Sequence, residues 1–441
     1  MEWPGDSGVI RELKRGRDRE TLRGMKVLVV GKGGREHALV RALKESPSAP
    51  ELFSFPGSDA IFDLAKPVPA DGLESLVAWM SANGIDLCVA GEESYLVKNE
   101  GLANLCERAG IPCWGPHKQS AQLEASKEFS KQFLLRHGIP TAKASACGSL
   151  EEAVTAIGGV FPTVLKFDGL AAGKGVAVCP DEASAQAFLD EVFTQRRFGD
   201  GRLLVEECLV GPEVSIFAAV VDDHYLVFTP ARDYKRIGEG DQGPNTGGMG
   251  AVASRRLVGP ELLRRIEREI VGPTVAGLRA DALPYRGFLY FGLMLTPDGP
   301  KVIEYNCRFG DPECQAVMPL VTGDLAEFCL AGAKGAFQPE QIGFNEGWSV
   351  CVILASAGYP DSSRSGDVIS GLDRVDGARV YHAGTRRRPD GAWETNGGRV
   401  LAVVATAADR VTAVDAAHAQ AARVDFPGAQ RRADIGRLHF D

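Results

Sequence analysis

The chain has 441 residues, of which 44% are hydrophobic and 24% charged, a composition typical of a globular protein with about three domains. It contains no apolar run near the ~18 residues of a membrane span and no internal repeat of ~20–50 residues. The formal net charge of −9 argues against general binding to nucleic acid or anionic membranes, because phosphate-rich surfaces need many Lys and Arg residues. We therefore expect small-molecule substrates, and a monomer or a weak dimer.

The ten cysteines are scattered along the chain and form no CxxC or Cys/His pattern with zinc spacing, which is typical of single thiols in a reducing cytoplasm. The first 24 residues are charged and lack the apolar stretch of a secretory signal. We expect residues 1–24 to be a disordered extension. Met25 directly precedes a strand pattern and is a candidate for the natural start of the chain.

Residues 25–124 alternate short apolar runs with helical periods, which predicts a doubly wound α/β domain. The predicted strands are 26–30, 52–55, 87–90 and 112–114, and the predicted helices begin near Gly34 and cover 72–82 and 96–109.

The next segment predicts a mixed α+β domain over 125–345, because strands with short connections replace the regular alternation. Its predicted helices are 120–137, 183–193 and 260–278, and its predicted strands are 163–167, 176–179, 203–207, 214–221, 225–229, 287–295 and 301–306. A long glycine-rich stretch, 238–250, interrupts the pattern. Residues 346–441 predict a small separate α/β module, with strands 350–355 and 399–405 and a helix over 410–423.

The first glycine cluster, Gly31-Lys-Gly-Gly-Arg-Glu36, resembles the start of a dinucleotide fingerprint. However, Glu36 occupies the third glycine position, and no acidic residue ends the second strand. The turn still offers backbone N–H groups and a helix N-terminus beside Arg35, which suits a phosphate group. A purely structural tight turn is the alternative.

The second cluster runs from Lys166 to Val176 and is not a Walker A loop. Three residues rather than four separate Gly169 from Gly173, and glycine follows Lys174 where Ser or Thr is needed. A glycine loop between two strands can act as a flexible lid over nucleotide phosphates. A plain hairpin turn is the alternative.

Two more segments carry ligand-binding chemistry. Glu304 and Asn306 are two residues apart on a predicted strand, so their side chains leave the same face and suit Mg²⁺ that also binds phosphates. An exposed polar strand face is the alternative. The charge run 232–236 leads into the glycine-rich loop 243–250, where the backbone can approach a ligand closely.

Together these segments resemble the glycinamide ribonucleotide synthetase (phosphoribosylamine–glycine ligase) family of the ATP-grasp superfamily. The similarity extends from Met25 to about the end of the chain. The motifs that carry it are Gly-Gly-Arg-Glu-His-Ala-Leu39, Ser126-Lys127, 168–176, 243–250, Gly287-Phe-Leu-Tyr290, Asn306-Cys-Arg-Phe-Gly-Asp-Pro-Glu313 and Thr395-Asn-Gly-Gly-Arg-Val400.

The resemblance implies an N-terminal substrate-binding domain over 25–124, a central ATP-grasp domain over 125–345 with a mobile lid at about 145–210, and a C-terminal domain over 346–441. It also implies ATP-dependent joining of glycine to 5-phosphoribosylamine in purine biosynthesis, with Mg²⁺ or Mn²⁺. The implied ATP-binding residues are Lys127, Lys166, Gly173, Lys174, Glu206, Glu207, Leu209 and Glu213. Within this set, 206–209 would form the adenine hinge and Glu213 would hold the ribose.

The implied metal ligands are Glu304 and Asn306, and the implied catalytic residues that hold glycine are Asp233 and Arg308. The implied substrate-binding set is Gly33, Gly34, Arg35, Glu93, Asp233, Lys235, Thr246, Gly247 and Arg308. Such a reaction proceeds through glycyl phosphate and needs no protein nucleophile, because phosphoryl transfer depends on positioning and charge neutralisation. His37 is therefore expected to orient its loop rather than to act as a base.

The chain departs from the family pattern at 58–61, at 92–95, and at Arg232 and Tyr234, where Gln and His are usual. The first two departures lie in the domain expected to bind phosphoribosylamine. They leave open a related ligase that delivers glycine, or a similar amino acid, to a different amine. A nucleotide-binding protein without ligase activity is a further alternative, against which the retained Glu304, Asn306 and Arg308 argue.

Overall fold

The structure is a computed structural model that describes residues 24–169 and 175–438. The predicted extension at 1–24 lies outside the described residues except for Gly24, and Gly173 and Lys174 of the predicted phosphate-binding loop also lie outside them. Within the described parts of the chain, no helix is both long and apolar enough to cross a membrane.

The N-terminal region is built on five parallel strands in the order β3-β2-β1-β4-β5. Its strands are continuous apolar runs because helices cover both faces of the sheet. The loops after β1 and β4 lie side by side at the point where the winding reverses, which is the ligand-binding position of such sheets. The elements are β1 (Lys26–Gly31), α1 (Gly34–Lys44), β2 (Glu51–Pro56), α2 (Asp59–Phe62), β3 (Lys66–Pro67), α3 (Leu73–Asn83), β4 (Leu87–Ala90), α4 (Ser94–Val97), α5 (Leu102–Arg108) and β5 (Cys113–Trp114).

Two helices predicted as continuous are broken. The helix predicted over 96–109 is interrupted at Gly101, which has φ +86°, and a Cβ there would lie 2.6 Å from the carbonyl oxygen of Leu96. The helix predicted over 120–137 divides into α6 (Gln122–Ala125) and α7 (Lys127–Arg136). The break lies at Ser126, whose extended backbone allows its hydroxyl to cap α7 by accepting from the Phe129 N–H.

The segment predicted as a lid forms a separate four-stranded antiparallel sheet in the order β6-β9-β7-β8. It has its own apolar core, which includes Leu165, Phe167 and Phe188. The predicted helix over 183–193 ends in a π-helical turn, Asp190–Thr194. The elements are β6 (Ala144–Cys147), α8 (Leu150–Ile157), β7 (Thr163–Phe167), β8 (Val176–Cys179), α9 (Glu182–Leu189) and β9 (Leu203–Glu207).

The central region supplies six strands of a nine-stranded sheet, ordered β17-β16-β10-β12-β15 with β11 beside β10. Its elements are β10 (Glu213–Val221), β11 (His224–Val227), β12 (Ala231–Asp233), β13 (Arg236–Gly238), β14 (Gln242–Asn245), β15 (Gly250–Ala253), α10 (Pro260–Ile266), α11 (Gly272–Ala280), β16 (Arg286–Thr296), β17 (Gly299–Asn306), α12 (Glu313–Val317), β18 (Val321–Gly323), α13 (Leu325–Ala333) and β19 (Ile342–Phe344). The glycine-rich stretch contains the small β13–β14 hairpin, and the helix predicted over 260–278 contains a π-helical turn, Glu267–Val271.

The C-terminal region continues the central sheet, a connection that the sequence did not predict. Its strand β20 (Trp348–Ala355) pairs with β15 along four residues, from Gly250–Val352 to Ala253–Ser349, and thereby extends the central sheet. Without β20, the apolar strand β15 would be an exposed sheet edge, which favours this pairing. The remaining elements are β21 (Val368–Ile369), β22 (Arg379–His382), β23 (Thr385–Arg387), β24 (Trp393–Thr395), β25 (Arg399–Ala407) and α14 (Arg410–Ala421).

A buried histidine pair joins helix α1 to the C-terminal region. His37 Nδ1 accepts a hydrogen bond of 2.9 Å from the backbone N–H of His382, and the two rings lie 5.8 Å apart. Burial, with nearby positive charge, lowers the pKa of His37 to about 4 and that of His382 to about 3. His37 therefore holds two regions together as a neutral ring.

We expect acid to weaken this junction. Because the folded pKa of His37 lies below its ordinary value of 6.5, the unfolded chain binds the proton more readily. The stabilisation is complete above pH 6.5 and is lost as the pH falls toward about 4, by up to ~3 kcal/mol. Thermal unfolding measured across this range should show a smaller fall in Tm for His37→Gln than for the unmutated chain. An equal fall in both proteins would contradict this role.

Candidate active site

The loop after β1 is closed by Glu36, the residue that replaces the third glycine of a dinucleotide fingerprint. One carboxylate oxygen of Glu36 accepts from the Gly33 N–H at 2.7 Å, and the other accepts from Arg35 Nε at 2.6 Å. Gly31 has φ +134°, and a Cβ there would lie 2.3 Å from the Glu36 side chain. The turn therefore needs glycine, and its Gly33 N–H is already used within the loop.

Arg35 and Arg308 lie on either side of Glu93, at the reversal point of the N-terminal sheet. Glu93 Oε2 is 3.3 Å from Arg35 Nη2 and 3.0 Å from Arg308 Nε. Burial acts to raise the pKa of Glu93, but Arg308 and Arg35 outweigh burial and lower it to about 2. Glu93 is therefore ionised, and it joins the loop after β4 to the end of β17.

Arg308 also contacts Glu124, a residue that the sequence analysis missed. Arg308 Nη2 lies 2.6 Å from Glu124 Oε1, and Glu124 Oε2 accepts from the Cys307 N–H at 2.7 Å. Burial raises the pKa of Glu124 to about 7, although Arg308 opposes the shift. Its position two residues before the Ser126-Lys127 motif is the signal that could have identified it.

The residues predicted to bind a metal ion suit a hard divalent cation. The Glu304 carboxylate makes no hydrogen bond or ion pair within the described parts of the chain, and its charge acts instead on Lys127 and Lys235. The Asn306 amide is best satisfied when its nitrogen donates to the Tyr305 carbonyl and to Glu124 Oε1. This orientation leaves the amide oxygen as an acceptor, and carboxylate and amide oxygens are suitable Mg²⁺ ligands.

Three lysines lie where the lid sheet meets the central sheet. Lys166 Nζ donates to the Ile303 carbonyl at 3.0 Å and lies 2.8 Å from Glu206 Oε2, while Lys131 Nζ lies 3.0 Å from the other Glu206 oxygen. Lys127 Nζ donates to the Gly169 carbonyl at 2.9 Å. Burial lowers the pKa of Lys127, although the charge of Glu304 opposes this shift.

The side chains of the predicted adenine hinge have protein partners. Both carboxylate oxygens of Glu206 contact lysines, and Glu207 accepts from the Lys143 N–H at 3.0 Å. Asp168, which the sequence analysis placed only within a motif, accepts from the Lys127 N–H at 2.5 Å and from the Ser126 hydroxyl at 3.2 Å. These contacts fix the first turn of α7 against the start of the glycine loop.

Asp233 and Lys235 form a second charged group beside Glu213. Lys235 Nζ lies 2.5 Å from Glu213 Oε2, and burial raises the pKa of Asp233 to about 8, with Lys235 opposing and Glu313 adding to the shift. Tyr234, one of the departures from the family pattern, is buried on the C-terminal side. Its hydroxyl accepts from the Gly436 N–H and donates to the Leu438 carbonyl.

Thr246 and Gly247 border a cavity of about 330 Å³ between the central and C-terminal regions. Thr246 Oγ1 donates to the Lys235 carbonyl at 2.8 Å, and the Gly247 carbonyl accepts from Arg399 Nη1 at 2.6 Å. Arg399, which the sequence analysis placed only within a motif, also lies 3.1 Å from Asp311 Oδ2. A Cβ at Gly33 would lie 4.0 Å from the same Asp311 oxygen, so Asp311 lies between Arg399 and the loop after β1.

The structure therefore brings the predicted residues together in three connected groups. Arg35, Glu93 and Arg308 are in direct contact, as are Lys235 and Glu213, and Glu304 acts electrostatically on Lys127 and Lys235. The arrangement offers cationic side chains and oxygen ligands. Such groups can position a nucleotide and activate a carboxylate through phosphoryl transfer.

Comparisons with known proteins agree with this geometry. Three family models match, described as the N domain (residues 25–124), the ATP-grasp (A) domain (residues 125–314) and the C domain (residues 349–438) of phosphoribosylglycinamide synthetase. A phosphoribosylamine–glycine ligase of Allochromatium vinosum is 44% identical over 424 residues, which cover 93% of this chain and 98% of the relative. A trifunctional purine biosynthetic protein of Drosophila melanogaster is 40% identical, over 94% of this chain and 32% of that protein.

The crystal structure of phosphoribosylamine–glycine ligase from Thermotoga maritima is similar with a TM-score of 0.79 at 31% identity, and the match covers 93% of this chain and 100% of that chain. The similarity thus extends over the N-terminal sheet, the lid, the central sheet and the C-terminal region, and confirms the predicted three-domain architecture. The chain belongs to the phosphoribosylglycinamide synthetase family.

Proposed function

We propose that this chain joins glycine to 5-phosphoribosylamine with the cleavage of ATP, giving glycinamide ribonucleotide, ADP and phosphate, as a step of purine biosynthesis. The observation that carries the proposal is the match over nearly the full length of a phosphoribosylamine–glycine ligase. The contacts described above support it, because they involve cationic and oxygen-bearing side chains of the kind that carboxylate activation requires. The reaction would take place in the cytoplasm, where ATP is available.

The chemistry proceeds in two balanced steps. A glycine carboxylate oxygen attacks the γ-phosphorus of ATP, the bond to the bridging oxygen breaks, and ADP leaves with the electron pair. The phosphoribosylamine nitrogen then attacks the carbonyl carbon of glycyl phosphate, inorganic phosphate leaves, and the nitrogen loses a proton. The first step replaces a poor leaving group by a good one, so no protein nucleophile is required.

Lys127 and Lys166 would bind the ATP phosphates. Both are held by backbone carbonyls, of Gly169 and Ile303 respectively, which fix their ammonium groups at the junction of lid and central sheet. The Glu206 carboxylate contacts Lys166 and is therefore already in use. The hinge at 206–209 would contact adenine through its backbone instead. Glu213 would hold the ribose.

Glu304 and Asn306 would hold Mg²⁺ or Mn²⁺. When bound, the cation would supply positive charge to the phosphate oxygens during transfer. The Glu304 carboxylate forms no ion pair within the described residues, and Glu124 keeps the Asn306 amide in the orientation that presents oxygen.

Arg308 and Asp233 would hold glycine by its carboxylate and its ammonium. Each of the three guanidinium nitrogens of Arg308 donates one N–H to the protein. The two terminal nitrogens each have a second N–H, which would be available to the glycine carboxylate. Burial raises the pKa of Asp233 to about 8. The positive charge of the glycine ammonium would favour the ionised form of this carboxyl group. Thr246 and Gly247, which border the cavity between the central and C-terminal regions, would contact substrate from that side.

The phosphoribosylamine would occupy the space bordered by the loop at Gly33, Gly34 and Arg35 and by Glu93. In the departing segment 58–61, the Ser58 hydroxyl is buried and makes no hydrogen bond within the described structure, so it could serve the substrate. Asp59 instead accepts from the Arg387 N–H at 2.7 Å and ties this segment to the C-terminal region. The lid, which would include Gly173 and Lys174, would exclude water and thus protect glycyl phosphate from hydrolysis.

The purified protein should form ADP only when glycine and phosphoribosylamine are both present with Mg²⁺ and ATP, and the product should be glycinamide ribonucleotide. The gene should also restore growth to a purine auxotroph that lacks this ligase. ADP formation with glycine and a different amine, but not with phosphoribosylamine, would instead establish a related ligase. Soluble protein without glycine-dependent turnover on any amine would refute ligase activity.

A further inference from the structure

Three cysteines that lie far apart in the sequence come together in the N-terminal region. Cys88 on β4, Cys106 on α5 and Cys113 on β5 place their three Sγ atoms within 4.8 Å of one another. The sequence expectation of isolated thiols is therefore wrong at these positions. It failed because the spacing of 18 and 7 residues follows no metal-binding pattern, whereas strand pairing sets Cys88 directly opposite Cys113.

The cysteine cluster is largely buried. Cys88 and Cys106 are fully buried within an apolar core, and Cys113 is partly exposed and lines its outer edge. Cys113 is the least buried of the three residues. The cluster can therefore be approached from the Cys113 side.

Charge decides which ion such a site could hold. Thiolates prefer soft, polarisable ions. Three thiolates around a divalent ion would carry a net charge of −1, and around a monovalent ion −2, and an uncompensated charge is costly within an apolar core. Around a trivalent ion the complex is neutral and can remain buried. The three sulfur ligands favour a soft ion, and the buried position of the cluster favours a trivalent one.

We propose that Cys88, Cys106 and Cys113 form a three-thiolate binding site for trivalent arsenic or an ion of the same chemical class. Binding of arsenous acid breaks three S–H bonds and three As–O bonds and forms three As–S bonds and three water molecules. Arsenic stays trivalent and sulfur stays reduced, so the step needs no oxidant or reductant. Cys113 provides the path of entry, after which Cys106 and Cys88 complete the site.

The test uses the full chain, reduced and freed of small thiols, with arsenite as the probe. X-ray absorption at the arsenic edge should show three sulfur neighbours in the unmutated protein. Native mass spectrometry should show one bound arsenic atom with the loss of three hydrogens. Coordination by two sulfurs and an oxygen, or no retention of arsenic, would overturn the proposal without any variant being required.

Cys88→Ala, Cys106→Ala and Cys113→Ala should each reduce arsenic occupancy to about a tenth or less at the same arsenite concentration. Cys329→Ala is the matched control, because Cys329 is also buried but lies on α13 outside the cluster. Circular dichroism and ATP-dependent ligase activity verify that each variant is folded. Loss of binding in Cys329→Ala, retention of binding in a folded cluster variant, or tighter binding of Zn²⁺ than of arsenite would overturn the assignment.

Discussion

Replacing Glu304 by alanine is expected to lower kcat by at least ~1000-fold at ordinary Mg²⁺ concentrations while the fold remains intact. The carboxylate makes no protein hydrogen bond or ion pair in the described structure, so its removal breaks no internal contact. The loss should fall on the chemical step, which corresponds to at least ~4 kcal/mol of transition-state stabilisation. Glycine-dependent ADP formation and the Tm, measured on the same preparation, check both parts of the expectation.

Asp298→Ala is the matched control for Glu304→Ala. Asp298 is an exposed carboxylate in the turn between β16 and β17, the same hairpin that carries Glu304. Its removal should leave turnover within about twofold, because surface substitutions away from special contacts have small effects. An unchanged rate in Glu304→Ala would refute its assignment as a metal ligand. Partial recovery at raised Mn²⁺ concentration would support the assignment.

Arg308→Ala is expected to raise the KM for glycine by at least ~100-fold and the KM for ATP by less than about threefold, because a paired guanidinium–carboxylate contact is lost only for glycine. The Tm should also fall. Glu93 and Glu124 lose the cation that lies 3.0 and 2.6 Å from them, and an uncompensated buried charge costs about 3–5 kcal/mol. Steady-state kinetics at saturating levels of the other substrates separate the two KM values.

Two further variants distinguish binding from stability. Arg286 at the start of β16 forms an ion pair with Asp222. Arg286→Ala removes this ion pair and should leave both KM values unchanged. Arg308→Lys keeps the charge but not the forked geometry, so it should recover more of the Tm than of the glycine KM. Equal rises in the KM for glycine and ATP in Arg308→Ala would mean that Arg308 contacts phosphate instead.

The sequence predicts the N-terminal sheet and most strands well, because their apolar runs are set by local periodicity. The prediction from sequence fails where an element depends on a contact with a residue far away in the chain. The break at Ser126 depends on Asp168, more than 40 positions later, whose carboxylate accepts from the Lys127 N–H. The joining of the C-terminal region to the central sheet depends on β15 and β20, which are separated by about a hundred residues of chain.

In the candidate site, too, features set by local spacing were predicted and features set by distant contacts were not. The spacing of Glu304 and Asn306 on one strand predicts their common face directly, since alternate residues point the same way. Glu124 could not be identified in this manner, because its role depends on Arg308, which reaches it from another part of the chain. Tyr234 departs from the family pattern beside the predicted glycine-binding Asp233, but its side chain lies in the C-terminal core.

The sequence alone therefore determined the family, the order of elements and the residue types available for phosphate, metal and carboxylate binding. Only the tertiary structure decided which of these residues meet. It placed Glu93 between Arg35 and Arg308, joined His37 to His382, and gathered three cysteines in the N-terminal region. The physical reason is that local periodicity sets the direction of a side chain, whereas strand order and register set its distant neighbours.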